Sequence, residues 1–238
     1  MSPSQRRDDF DAQIGSLALL GEPVRRALYR YVVAQPSPVS REQAAHGVGV
    51  AHHVAKFNLD KLENDGLLEV ELSRPPGRRG PGAGRPAKLY RRSSRDITVS
   101  LPERRYDLAS RVMAEAITAA ADSGLPVTDA LRRAASATGR AIGDDARHSA
   151  GTRPQHTALI RAVSDVLTDN GYEPRTDADG ITLVNCPFHH LAKDYTALIC
   201  GMNLDLIKGM LDALGQTPLH AQLDPSPGQC CVTLSTLR

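Results

Sequence analysis

The stretch from Ser73 to Arg95 constrains the fold more than any other part of the chain. Its glycines and prolines are spaced too closely for a helix to form. Short apolar pieces at 66–72 and 87–92 flank it, and they predict a β-hairpin with a long tip. It contains no acidic residue and eight basic ones: Arg74, Arg78, Arg79, Arg85, Lys88, Arg91, Arg92 and Arg95.

Three compact helical segments precede this hairpin. Pro23 suits the first turn of the first segment, and Ser40 is a good N-cap for the second. The third runs from about Ala51 to Asn64, and Gly66 ends it. We expect these helices to face the core with Leu28, Tyr31, Val32, Val54, Phe57 and Leu62. Helix, turn, helix and basic hairpin is the layout of a winged helix-turn-helix, in which one helix enters the major groove of DNA and the wing contacts phosphates.

The charge distribution supports a nucleic-acid partner for the first part of the chain. Residues 1–95 hold 16 Lys and Arg against 10 Asp and Glu, whereas the remaining residues hold 13 against 17. Aromatic residues make up only 4% and Trp is absent, which disfavours stacking on single-stranded bases. No run is typical of a membrane span or a signal peptide, so we predict a cytoplasmic protein.

The rest of the chain predicts an α+β fold with a small antiparallel sheet. A long amphipathic helix at 102–124 carries Leu108, Val112 and Ile117 on one stripe, and a second helix follows it. Later segments predict another helix, four short strands and a long helix from about Thr196 to Gly215. The predicted domains are a winged helix-turn-helix at 1–98, a helical linker or dimerisation region at 99–150, and an effector- or metal-sensing α+β domain at 151–238.

Two surfaces are candidates for DNA contact. His52, His53 and Lys56 lie on one side of the third helix, and Asn58 is a further candidate that also fits an inward position. A solvated helix face is the alternative interpretation. On the wing, the predicted phosphate contacts are Arg74, Arg78, Arg79, Arg85 and Lys88.

Residues 16–95 resemble winged-helix regulators of the ArsR-like class from actinobacteria, through LGEPVRRALYRYVVAQPSPVSREQAA and the wing exit GRPAKLY. The segments NCPFHHLAKDYTALICGMN and LDPSPGQCCVTL are similar to the sensor domain of these regulators. That group includes repressors of iron–sulfur cluster assembly operons, so the resemblance implies a cluster bound through cysteines. The chain departs from the pattern at Ala51, where a serine is usual, and has no cysteine near Leu214.

All four cysteines follow residue 185, which favours a metal, cluster or redox role in a cytoplasmic protein. Three thiolates and one imidazole would suit Zn²⁺ or an iron–sulfur cluster. The candidate ligands are Cys186, His189, Cys200, Cys230 and Cys231, of which only one of the last two should face the others. Cysteines that serve only as small core residues, in a regulator that senses an organic ligand, are the alternative.

The sequence contains no Walker loop, no G-x-S-x-G and no dinucleotide-binding fingerprint after a strand. We therefore predict a regulator of transcription, such as a repressor, and not an enzyme. Operator symmetry predicts a homodimer, with the helix at 102–122 as the best candidate for its seam.

Overall fold

The structure is a computed structural model that describes residues 3–73, 86–150, 156–215 and 219–236. The chain divides into two compact units, one comprising Arg7–Val99 and the other containing Ser100–Arg238. Both units combine helices with a small antiparallel sheet, as predicted. Among the described helices, none has both the length and the apolar character that crossing a membrane requires.

The first unit contains the predicted helices and the hairpin. Its elements are α1 (Pro3–Leu19), α2 (Pro23–Val33), β1 (Val39–Ser40), α3 (Arg41–Val48), α4 (His52–Asn64), β2 (Leu68–Ser73) and β3 (Ala87–Arg92). The three strands form one antiparallel sheet in the order β1-β3-β2. Leu68 pairs with Arg92 and Ser73 with Ala87, so the hairpin closes in continuous register around the wing tip.

Local signals explain the helix ends of this unit. Glu22 caps α2 by accepting hydrogen bonds from the amides of Val24 and Arg25. Ser40 and Gln43 form a reciprocal capping box at the start of α3. No side chain caps the start of α4 at Ala51.

The inward face of α4 differs from the prediction at one position. Phe57 was expected in the core, but 58% of its surface is exposed. The buried stripe is formed instead by Ala55, Asn58, Leu59 and Leu62, which recur at helical spacing. This stripe places Phe57 on the outer side of the helix.

The second unit is an antiparallel sheet with helices packed against it. Its elements are α5 (Tyr106–Ser123), α6 (Val127–Ala150), α7 (His156–Asp169), β4 (Pro174–Thr176), β5 (Gly180–Leu183), α8 (His189–Asp194), α9 (Thr196–Leu214), β6 (Leu219–Leu223) and β7 (Val232–Thr236). The strand order is β4-β5-β7-β6. The predicted four strands and the long helix near the C-terminus are present with close to the expected bounds.

The helices expected to form a separate linker at 99–150 are part of this second unit. Leu108 and Val112 of α5 and Ala135 of α6 are buried in the same hydrophobic cluster as Leu206 of α9. Ile117, predicted on the buried stripe of α5, is 60% exposed because the inward positions are Val112, Ala116 and Ala120. The buried face of α5 therefore uses small residues where the prediction placed a large one.

Three glycines bring α6 and α9 into direct backbone contact. A Cβ atom on Gly139 of α6 would lie 2.0 Å from the carbonyl oxygen of Leu206, and one on Gly143 would lie 2.5 Å from that of Met210. From the opposite side, a Cβ on Gly209 of α9 would lie 2.2 Å from the carbonyl oxygen of Ser136. All three distances are far below any tolerated contact, so only glycine permits this approach.

Candidate DNA interface and cysteine pairs

The outer face of α4 carries exposed side chains that the fold does not use. His52, His53 and Lys56 are exposed, and none of them makes a hydrogen bond or ion pair with another described residue. Phe57 lies on the same side of the helix. Because the opposite face is buried, α4 leaves one polar and aromatic surface exposed.

Asn58, considered above as a possible DNA contact, belongs to the interior of the domain. It is 5% exposed, and its side-chain oxygen accepts a hydrogen bond of 3.1 Å from Nε of Arg25 on α2. Its amide nitrogen donates to the carbonyl of Val54, and Arg25 also donates to the carbonyl of Leu19. Asn58 therefore fixes α4 against α2.

A polar network joins α3, α4 and the wing. The hydroxyl of Tyr90 on β3 donates to Asp60 on α4 at 2.8 Å and accepts from Nε of Arg41 on α3 at 2.8 Å. Arg41 also donates directly to Asp60 at 2.6 Å. A fully buried tyrosine thus connects α3, α4 and β3.

The network perturbs both acidic groups at its centre. Burial, together with the hydrogen bond to Asp60, raises the pKa of Tyr90, so its hydroxyl stays protonated and able to donate. Burial alone would raise the pKa of Asp60, but the hydrogen bonds from Tyr90 and Arg41 outweigh it and hold that pKa below its ordinary value. Asp60 is therefore a carboxylate at neutral pH.

The wing residues differ in how far the structure describes them. Arg74, Arg78, Arg79 and Arg85 lie outside the described residues. Lys88, for which a phosphate contact is predicted, forms an ion pair with Glu63 at 2.5 Å and lies 3.8 Å from Asp60.

Other basic residues of the β2–β3 region also have partners within the domain. Arg91 pairs with Glu69 at 3.0 Å, and Arg95 donates to the carbonyl of Asp65 at 2.8 Å. These cations have acidic or carbonyl partners that their positions in the sequence did not reveal, because the partners lie on β2 and immediately after the last residue of α4.

The four cysteines form two pairs in the second unit. Cys200, in the first turns of α9, is joined by a disulfide to Cys231, and their Cα atoms are 6.3 Å apart. Cys186 and Cys230 are free thiols, both buried. The backbone amide of Cys230 donates to the carbonyl of Leu183 at 2.8 Å, which brings the start of β7 beside the end of β5.

The buried pair has polar neighbours. Nδ2 of Asn203 donates to the sulfur of Cys230 at 3.2 Å, and the hydroxyl of the buried Tyr172 donates to the side-chain oxygen of Asn203. Arg104 donates to the carbonyl of Cys186 at 2.7 Å. The sequence analysis did not identify Asn203 as a neighbour of the cysteines. Its only signal was a single amide side chain within the apolar run of α9.

The two free thiols have different protonation tendencies. A hydrogen bond donated by Cys230 lowers the pKa of Cys186, and the same bond together with burial raises the pKa of Cys230. The first proton lost from the pair therefore leaves Cys186. The resulting thiolate would be stabilised by the thiol of Cys230.

The predicted three-thiolate centre with His189 is not assembled in this arrangement. His189 is exposed, and its ring lies edge-on to that of His190 with 5.6 Å between centroids. Within the described part of the chain, no three His, Cys, Asp or Glu side chains are grouped so that they could hold a metal ion. The disulfide between Cys200 and Cys231 leaves Cys186 and Cys230 as the two free thiols.

Comparison with known proteins identifies only the first unit. Residues 20–71 match a family model described as a helix-turn-helix domain, and this range contains α2, α3, α4 and most of β2. No curated protein and no solved structure matches the chain. The first unit therefore contains a helix-turn-helix domain, which supports a DNA-binding regulator in preference to an enzyme.

Proposed function

We propose that the chain is a winged helix-turn-helix regulator of transcription that inserts α4 into the major groove of duplex operator DNA. The observation that carries this proposal is the outer face of α4, where His52, His53 and Lys56 are exposed and without partners among the described residues. Lys56 has the donors that suit the O6 and N7 acceptors of guanine, and an imidazole N–H suits the same acceptors. The wing arginines supply contacts to the flanking phosphates.

The proposed regulator acts as a homodimer on an inverted repeat, with half-sites about one helical turn apart. The helix at 102–122 is the proposed seam. Ile117 of α5 supports this because a large apolar side chain is 60% exposed on a face with mainly small neighbours. An operator with two-fold symmetry requires two such domains.

The DNA-binding proposal is tested by selecting an operator from random duplexes and measuring affinity over a range of salt concentrations. Replacement of Arg78, Arg79 and Arg85 by alanine should weaken binding to all sequences. It should also reduce the slope of log K against log salt by about 0.9 for each lost phosphate contact. His52→Ala should instead change the preference among sequences.

A matched control removes three exposed arginines that lie in the second unit outside the proposed seam, Arg133, Arg140 and Arg161, by substitution with alanine. It lowers the net charge equally and should leave the salt slope nearly unchanged. If the wing variant bound the operator as tightly as wild type at moderate salt, the assignment of the wing would be wrong.

For the second unit we propose regulation through thiol oxidation. Cys231 is partly exposed, whereas Cys186, Cys200 and Cys230 are buried, so an external disulfide would reach Cys231 first. Oxidation of the Cys200 and Cys231 thiols transfers two electrons and two protons to a small-molecule disulfide. That disulfide is thereby reduced and released as two equivalents of its thiol.

A zinc or iron–sulfur centre is the second candidate. It is favoured by the convergence of four cysteines from three separate places in the sequence on the same region of one unit. The present arrangement does not fit it, because the thiols form two pairs instead of one set of three or four ligands. A cluster would require Cys200 and Cys231 to be reduced and to turn toward Cys186 and Cys230.

One purification distinguishes these two candidates. Protein isolated without air or chelator is analysed for iron and zinc, and its operator affinity is compared before and after treatment with oxidised glutathione. Thiol regulation predicts no stoichiometric metal and a change in operator affinity on oxidation. Cys200→Ser should abolish this change, whereas Cys186→Ser should preserve it. A metal centre predicts a stoichiometric metal that is lost in both variants.

A further inference from the structure

We propose that Phe57 recognises the C5 methyl group of a pyrimidine in the major groove, which is thymine in unmodified DNA. This inference deepens the proposed function and rests on it, because it requires α4 to enter the groove. It assigns to Phe57 a specificity-determining contact at one position of each half-site.

The fold of the first unit does not use the ring of Phe57. Phe57 is one of only three phenylalanines in the chain, yet 58% of its surface is exposed. The core of the first unit is closed without it by Leu59 and Leu62, which are fully buried on the other side of α4. Folding therefore gives no reason for an aromatic side chain at this position.

Phe57 lies in the middle of the outer face of α4. His53 lies one turn before it and Lys61 one turn after it, so the ring is in the middle of a stripe of polar side chains. Nζ of Lys61 lies 4.5 Å from the ring centroid, over one face of the ring. This contact orients the ring and leaves its remaining surface available.

The major groove offers a phenyl ring one kind of apolar group. Base edges in the major groove present hydrogen-bond donors and acceptors, and the only apolar group among them is the C5 methyl of thymine. A phenyl ring has no donor or acceptor to offer, so placing it against a guanine or adenine edge would desolvate polar groups without replacing their hydrogen bonds. Among the groups on the base edges, the methyl group is the one that a phenyl ring can cover without desolvating a hydrogen-bond donor or acceptor.

The test uses the operator selected from random duplexes, with each thymine replaced in turn by deoxyuridine, which lacks only the methyl group. Wild-type protein should lose affinity by about fourfold at one symmetry-related thymine in each half-site, the factor expected for one buried methyl-sized group. Phe57→Ala should bind more weakly overall and should not distinguish thymine from uracil at that position. Phe57→Leu should keep part of the discrimination.

His53→Ala is the matched control, since it removes a ring from the same stripe and should retain the methyl dependence. The inference is overturned if wild type binds its operator specifically but is indifferent to uracil at every position. It is also overturned if Phe57→Ala still distinguishes thymine from uracil. A Phe57→Ala variant that keeps this discrimination but changes its oligomeric state would place Phe57 at a protein interface. Failure of the proposed function is separately recognisable, because wild type would then select no duplex at all.

Discussion

Replacing Gly209 with alanine should destabilise the second unit, although alanine is the better helix former. In the interior of α9 the substitution gains about 1 kcal/mol of helix propensity. The added Cβ would lie 2.2 Å from the carbonyl oxygen of Ser136 and 3.1 Å from the amide of Arg140, both backbone atoms of α6. No rotamer change relieves a backbone clash, so the two helices must separate.

The size of the effect follows from that separation. A gap of about 0.5–1 Å forfeits a quarter to a half of the dispersion energy of the atoms along it. Overpacking costs about 1–3 kcal/mol, and a backbone clash belongs at the upper end of that range. After the gain in propensity is subtracted, Gly209→Ala should be less stable than wild type by about 2 kcal/mol.

Gly201 of the same helix provides the matched control. A Cβ at that position meets no atom within 4 Å, so Gly201→Ala should raise stability by up to about 1 kcal/mol. The two variants should differ by about 3 kcal/mol, or roughly 6–12 °C in the midpoint of thermal unfolding for a unit of this size.

The assay is thermal unfolding followed by circular dichroism, with hydrogen exchange of amides in α6 and α9 to identify the transition of the second unit. The reasoning is refuted if Gly209→Ala is as stable as Gly201→Ala. Equal stability would mean that the close approach of α6 and α9 does not depend on glycine.

Three further predictions concern the network and the proposed seam. Folding lowers the pKa of Asp60, so its ionised form stabilises the first unit at a pH above the ordinary aspartate pKa of about 4. This stabilisation is lost as the pH falls through the lower pKa of the folded state. Urea titrations should therefore show a smaller loss of stability on acidification for Asp60→Asn than for wild type. Tyr90→Phe should cost about 1–2 kcal/mol at neutral pH, since its two hydrogen bonds to charged groups are only partly replaced by water, whereas Tyr29→Phe should stay within about 0.5 kcal/mol. Ile117→Asp should convert the dimer to a monomer, as measured by light scattering. If Ile117→Asp remained a dimer and Val127→Asp became a monomer, the seam would lie elsewhere.

Much of the first unit was predictable because its signals are local. Ser40 and Gly66 mark helix ends through contacts within a few residues, and both are found in those roles. Gly66 has φ of +79°, a conformation that glycine adopts without strain. The paired strands at 68–73 and 87–92 were visible as apolar pieces on either side of a glycine- and proline-rich stretch.

The orientation of individual side chains was less predictable. Phe57 and Ile117 were assigned to the core by their apolar character, but the neighbouring helices meet Leu59 and Ala116 instead. Helical periodicity gives the spacing of an inward face, and which of two overlapping stripes is buried depends on the packing partner. That information is not present in the helix itself.

The sequence predicted the candidate sites only in part, because they depend on pairs of residues that lie far apart along the chain. In the sequence, Lys88 has no neighbouring acidic partner. Its ion-pair partner in the structure, Glu63, is 25 residues away along the chain. Four cysteines allow three complete pairings, and no local rule selects the partner of Cys200 or Cys186. Tertiary structure determined both outcomes.

The two faces of α4 have separate duties, and this separation bears on how such a regulator could evolve. The residues that secure the helix, among them Asn58 and Leu59, are directed into the domain. Those on the outer side, such as His52 and Lys56, have no partner in the described part of the chain whose loss would weaken the fold. Mutations on the outer side therefore accumulate at little cost in stability. If α4 reads the operator as proposed, a lineage carrying this helix is free to exchange one target sequence for another while its scaffold stays the same.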